Sequence, residues 1–175
     1  MMFIVTEIIL KNYMDTIEVK SIIGGVATDD RGSVRFVNDF NFKDVKRFYQ
    51  VQNHQTGFIR AWHAHEKEAK YAYVAKGTAL LGAVPLDIMR DIKTKKDNYL
   101  KIEPVILKDY RIFKTVLSSN NPKVVFIPSG YANGFKSLEP DTIIQFFSTS
   151  TLQESLGDDI RFDYDLVNIW KEDYR

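Results

Sequence analysis

The stretch Gly57-Phe-Ile-Arg-Ala-Trp-His63-Ala-His65-Glu-Lys-Glu-Ala-Lys70-Tyr-Ala-Tyr-Val-Ala-Lys-Gly77 decides the fold. Alternate side chains of a β-strand share a face, so His63 and His65 point the same way, with Ala64 opposite them. One face then carries two imidazoles. Lys70 opens a second apolar run, Tyr71 to Lys76, and Lys76-Gly77 supplies a tight turn into a third, Thr78 to Val84.

The same pattern continues outward. Short runs of β-branched and aromatic residues recur at Lys123 to Ile127 and Thr142 to Ser148. Turn residues punctuate them at Gly24-Gly25, Asp29-Asp30-Arg31-Gly32, Ser118-Ser-Asn-Asn-Pro122 and Pro128-Ser-Gly130. This spacing predicts an all-β antiparallel sandwich or small barrel with little helix. Phe42 to Phe48 is expected as a short helix or bulged strand, and Gln153 to Asp159 as a single helical turn. Asp87 to Lys108, rich in lysine and aspartate, is expected as an exposed hairpin or long solvated loop. Met1 to Leu10 reads as a strand.

A chain of 175 residues, 45% of them hydrophobic, suits a single domain over 1–175 with one core. The net charge of +1 gives no bulk attraction to nucleic acid or an anionic membrane. An anionic ligand must therefore be held by a few placed cations, and Arg31, Arg60 and Lys70 are the candidates. The chain has no cysteine, which excludes disulfides, thiolate catalysis and cysteine zinc sites. No apolar run reaches the roughly 18 residues needed to cross a bilayer, and the expected compartment is the cytoplasm.

The spacing of the opening stretch resembles the cupin pattern G-x5-H-x-H-x4-E-x6-G, followed by P-x-G-x2-H on a later strand. This chain matches at Gly57, His63, His65, Gly77, Pro128 and Gly130, with Lys70 at the glutamate position and Asn133 at the later histidine. The resemblance implies a double-stranded β-helix, a jelly-roll barrel. Cupins use the four ligand positions for a metal. An ammonium repels a divalent cation, and an amide is a poorer ligand than imidazole, so no metal is expected unless Glu66 or Glu68 substitutes.

With those residues placed, most of the chain is similar to the dTDP-4-dehydrorhamnose 3,5-epimerase family of cupins, which act on nucleotide-linked 4-keto-6-deoxy sugars. Asp29-Asp-Arg-Gly32 looks like the family's D-x-R-G turn, Gln52-Asn53 like its Q-x-N strand, and Arg60-Ala-Trp-His63 like its R-G-L-H. Lys70 ahead of Tyr73-Val-Ala-Lys-Gly77 is similar to K-L-V-x-V-x-x-G. Ile127-Pro-Ser-Gly-Tyr-Ala-Asn-Gly-Phe135 is similar to I-P-x-G-F-A-H-G-F, and Ile160-Arg-Phe-Asp163 to Trp170 to the terminal I-x-W-x-D-P-x-L-x-I-x-W. The pair His63-Ala-His65 also resembles the related sugar 3,4-ketoisomerases.

What the resemblance implies is enolate chemistry without a cofactor, in polysaccharide or glycan precursor synthesis. His63 is the expected base, Asp163 (or Asp165) its hydrogen-bonding partner, and Lys70 the charge beside the sugar O4. Arg31 and Arg60 are expected on the diphosphate, with Gln52, Asn53, His65, Tyr131, Asn133 and Phe146 contacting a nucleotide sugar, dTDP-linked by the resemblance. Trp62, Tyr131, Phe135, Phe146 and Phe147 line the barrel mouth or fill its core. A homodimer through N-terminal edge strands is implied as well.

Two departures bear on the reaction. Epimerisation needs a proton returned on the face opposite the base, and the family uses a tyrosine that aligns here with Phe146. Asn133 replaces an active-site histidine. Tyr71, Tyr73 and Tyr131 are the positional candidates for a substitute acid. Same-face return would instead give a 3,4-ketoisomerase, and the alternatives in other classes are a catalytically silent sugar-nucleotide binder and a metal-dependent cupin enzyme.

Overall fold

The computed structural model describes residues 18–98 and 111–171. With strands numbered along the chain, one five-stranded sheet runs β1 (Lys20–Ile23), β9 (Lys123–Ile127), β6 (Lys70–Lys76), β11 (Ile143–Ser148), β4 (Arg47–Gln52). The other runs β12 (Ile160–Arg161), β5 (Ile59–His65), β10 (Tyr131–Ser137), β7 (Thr78–Pro85), β8 (Phe113–Ser118). A separate hairpin joins β2 (Gly25–Asp29) to β3 (Gly32–Phe36). Every paired ladder is antiparallel. The chain folds as the all-β cupin jelly roll that its motif spacing implied.

Burial explains why these runs become these strands. Alternate residues of both sheets, among them Val74, Leu81, Val125, Ile127, Ile144 and Phe146, meet in the barrel interior. A second apolar layer lies on the outer face of the second sheet, where Trp62, Leu80, Val84, Met89, Ile92 and Trp170 pack together. Strand β7 is therefore covered on both faces, which its unbroken apolar sequence Thr78-Ala-Leu-Leu-Gly-Ala-Val84 reflects. Gly77 turns β6 into β7 with φ of +76°, a conformation suited to glycine, and Thr142 packs over it.

The expectation for Asp87 to Lys108 is corrected in its first half. Leu86–Asn98 forms helix α1, and Leu86, Met89 and Ile92, three residues apart, bury one stripe against the sheet. The lysines and aspartates that resembled a solvated loop form its outer face, paired as Lys93–Asp97 and Lys95–Asp91. Residues 99–108 lie outside the described residues, as does the Met1 to Leu10 strand. Phe42 to Phe48 is neither a helix nor one bulged strand, because a turn at Lys43-Asp44 precedes β4. The helical turn expected at Gln153 to Asp159 appears as α2 (Leu152–Leu156), closed at its start by reciprocal bonds between Thr151 and Glu154.

Candidate functional site at the barrel mouth

His63 and His65 lie on β5 and face one cavity of roughly 250 Å3, open at one end of the barrel. Between Asn133/Phe135 of β10 and His63/Arg60 of β5 the pairing slips, so three residues of β5 span what two span on its neighbour. The bulge resets the alternation and brings Arg60 onto the same face. From the opposing sheet, Arg47, Tyr49 and Val51 of β4, Lys70 of β6 and Phe146 of β11 close the other wall. Arg47, Arg60, Lys70 and Arg161 give the cavity four cationic side chains against one lining carboxylate, Asp159. A chain with almost no net charge thus concentrates cations at one mouth.

Lys70 is buried, and its Nζ lies 2.9 Å from His65 Nε2. An ammonium only donates, so this nitrogen of His65 must accept, which places the ring proton on Nδ1. Nδ1 lies 3.3 Å from Glu68 Oε2, out of line for a full hydrogen bond. Burial and then Lys70 both hold His65 below the usual histidine pKa. Glu68 is the anionic floor of the site. Burial opposes its ionisation, but Lys70, the hydroxyls of Ser155 and Ser148, and His65 together hold it below the ordinary carboxylate range. Its Oε1 accepts from Arg47 at 3.2 Å and from Ser148 at 2.7 Å. Glu68 therefore anchors the cations, and the lone pair that His65 might offer a metal is occupied by Lys70.

His63 is differently placed. Burial, then the nearby Arg161 guanidinium, depress its pKa, with Asp159 acting the other way. Its Nδ1 lies 3.8 Å from Asp159 Oδ1, while Asp159 Oδ2 accepts from Arg161 at 2.8 Å. The imidazole is thus neutral near pH 7, backed by a carboxylate on one nitrogen. Lys70 lines the same cavity, so a base and an ammonium converge on one space.

The cavity brings together His63, Lys70, Arg60, His65, Asn133 and Phe146 from the expected set. The partner expected for His63 is corrected: Asp163 is exposed, Asp165 pairs with Lys96, and Asp159 is the carboxylate beside Nδ1. The reason is local pairing, since Arg161 sits opposite His63 and Asp159 just before the two-residue strand. Gln52 faces away from the cavity and its amide reaches Asp141. Asn53 is buried behind the wall, where its carbonyl oxygen accepts from Arg60 Nε at 2.9 Å. Tyr131 lines a separate depression with Glu18 and Phe113. Arg31 is exposed at the β2–β3 turn and pairs with Asp29. Asn133 donates its amide to the His63 carbonyl oxygen at 2.9 Å, so it braces the strand that carries the base.

Sequence reasoning missed Arg47, Tyr49, Asp159 and Arg161. The parity of β4 was the available signal for two of them: with Gln52 outward, Val51, Tyr49 and Arg47 must point inward.

Known proteins share the fold and family of this chain. The chain is 26% identical over 169 residues to the spore coat polysaccharide biosynthesis protein SpsL of Bacillus subtilis, covering 93% of this chain and 99% of SpsL. Its fold superposes on the rmlC epimerase of Mycobacterium tuberculosis with a TM-score of 0.66 at 16% identity, covering 90% of this chain and 76% of that one. The 3'-monoepimerase ChmJ of Streptomyces bikiniensis, solved with dTDP-quinovose, gives 0.65 at 19% identity, covering 91% and 79%. The QdtA 3,4-ketoisomerase of Thermoanaerobacterium thermosaccharolyticum gives 0.57 at 15%, covering 84% and 88%. The family model described as dTDP-4-dehydrorhamnose 3,5-epimerase matches residues 17–172, and the chain belongs to that family.

Proposed function

We propose that this protein is an epimerase or ketoisomerase of a nucleotide-diphosphate 4-keto-6-deoxy sugar, working by proton abstraction beside the ketone. The observation that carries this reading is the convergence of His63 and Lys70 on one cavity rimmed by arginines. A carbon-bound proton α to a ketone leaves only when a positioned base takes it and the resulting enolate is stabilised. His63, neutral and backed by Asp159, is the base. Asp159 stabilises the imidazolium as it forms. Lys70 faces the negative charge that develops on the keto oxygen. A preorganised cation in such a site is worth several kcal/mol, as for other oxyanion-stabilising groups.

Arg60, Arg47 and Arg161 suit a diphosphate, since guanidinium forks match phosphate oxygens in pairs. The family and the dTDP-bound relatives support a dTDP-linked substrate. Arg31 fits this reading only in a dimer. Its hairpin stands outside both barrel sheets, exposes Val26, Val34 and Phe36, and carries the guanidinium at its tip. In a homodimer that covers this apolar hairpin, Arg31 reaches the partner's cavity.

The test is solvent exchange. In D2O, dTDP-4-keto-6-deoxyglucose and related NDP-4-keto sugars should take up deuterium next to the ketone, and His63→Asn should stop it. The absence of wash-in from every such sugar refutes the enzyme reading. It would favour a silent sugar-nucleotide binder, the reading that Phe146 motivates. Binding of dTDP without exchange would separate that outcome from a protein with no nucleotide site.

A further inference from the structure

We propose that Tyr49 is the proton donor opposite His63, which makes this protein a true epimerase. This rests on the enolate reading given above. His63 belongs to the second sheet and Tyr49 to the first, so the two side chains enter the cavity from opposed walls. A flat enolate held between the sheets presents one face to the imidazole and the other to the phenol. Inversion at carbon requires that arrangement, and a single base on one wall cannot provide it.

The neighbours of Tyr49 single it out. Its cross-strand partner is Phe146, and the rings stack at 5.4 Å with 22° between their planes. Phe146 carries no proton to give. Among the tyrosines considered from the sequence, Tyr71 packs among Phe40 and Phe126, and Tyr131 lines another depression. Tyr73 does not line the cavity either. Of the other hydroxyls, Ser155 also lines the cavity, but it is engaged with Glu68. Lys70 is committed to His65 and to the enolate oxygen. Tyr49 is the remaining hydroxyl among the described lining residues.

Its environment suits the role. Burial, then the charge of Glu68, push its pKa up to about 12, so the phenol carries its proton throughout the neutral range. The Arg47 guanidinium lies 4.9 Å above the ring and offsets the charge left behind when the proton departs. The step balances. His63 takes the proton as the C–H bond breaks, and the electron pair moves to the keto oxygen. The Tyr49 O–H bond then breaks as a C–H bond forms on the opposite face and the carbonyl returns. The imidazolium proton passes back to the phenolate through solvent.

The experiment follows dTDP-4-keto-6-deoxyglucose in D2O by NMR, comparing inverted product with deuterium exchange at the same carbon. Tyr49→Phe should lower the ratio of inverted product to exchange by about 100-fold or more, the scale of general-acid catalysis. The double variant Tyr49→Phe with Phe146→Tyr moves the hydroxyl across the stacked pair and should recover part of that ratio. An unchanged ratio in Tyr49→Phe overturns the proposal, as does equal loss of exchange and product in a normally melting variant, which marks a positioning role. Exchange by the unaltered protein with no inverted product overturns the proton-donor role and leaves the enolate reading standing. Absence of any exchange removes both.

Discussion

Lys70 Nζ lies 2.9 Å from Nε2 of His65, where a metal would sit if this cavity bound one through that histidine. The ammonium is held there by Glu68, whose Oε1 is 3.8 Å away and whose side chain is fully buried. One carboxylate thus keeps two cations, Lys70 and Arg47, at the base of the pocket.

Glu68→Gln should therefore cost stability as well as activity. Removing one partner of a buried charge cluster leaves the others uncompensated and typically costs about 3–5 kcal/mol. Because Glu68 has a depressed pKa in the folded chain, its contribution is present above the unfolded carboxylate pKa and is lost as pH falls through the lower folded value. Thermal melting from pH 7 down to acid should fall more steeply for the unaltered protein than for Glu68→Gln. Parallel curves would remove Glu68 from this role.

As the proposed base, His63 should set the pH dependence of catalysis. Its pKa is lowered, by burial and then by Arg161, so kcat/KM should rise with pH through an inflection below the ordinary histidine value and then level off. Arg161→Gln removes a repelling cation and should move the inflection up. Asp159→Asn removes the carboxylate that favours the imidazolium, and should move it down while lowering the rate. Shifts of the same sign in both variants would refute the pairing of His63 with Asp159.

Much of this was legible in the sequence. The runs Tyr71 to Lys76, Thr78 to Val84 and Lys123 to Ile127 fall inside β6, β7 and β9 because short β-branched and apolar runs bounded by turn residues report strands, alternating in β6 and continuous in β7, which is covered on both faces. Strand parity put His63 and His65 on one face, the motif spacing singled out Lys70, and all three line one cavity. Helix α1 was hidden because its buried stripe is only Leu86, Met89 and Ile92 amid charges, too few apolar residues to outweigh a lysine-rich composition. Asp159 and Arg161 were missed for another reason: their place depends on β12 pairing with β5, a contact between segments about 100 residues apart that no local pattern records. Tyr49 was passed over because Gln52 drew attention to the opposite parity of the same strand.

Asn53 acts through Arg60. Its amide nitrogen donates to Phe58 O at 3.0 Å and Ser137 Oγ at 2.9 Å, leaving the carbonyl oxygen aimed at Arg60 Nε. Asn53→Ala should cost about 1–3 kcal/mol of stability, because buried partners lose their bonds. It should also weaken dTDP binding by roughly tenfold, as the guanidinium loses its fixed orientation. Calorimetric titration with dTDP checks this, and unchanged affinity in the variant would detach Arg60 from the nucleotide.

Gly82 tests the outer layer without touching the cavity. A methyl group there would run into Ile169 and the rings of Trp62 and Trp170, which meet at 4.9 Å over this residue. The two tryptophans join the C-terminal segment to β5, the strand that carries both histidines. Gly82→Ala should thus lower stability by about 1–3 kcal/mol through overpacking. The displaced Trp62 is next to His63 in the chain, so a shift of β5 should show as a fall in kcat larger than any change in KM. A variant that melts several degrees lower with unaltered kcat would mean that the outer layer holds the barrel together without tuning the base.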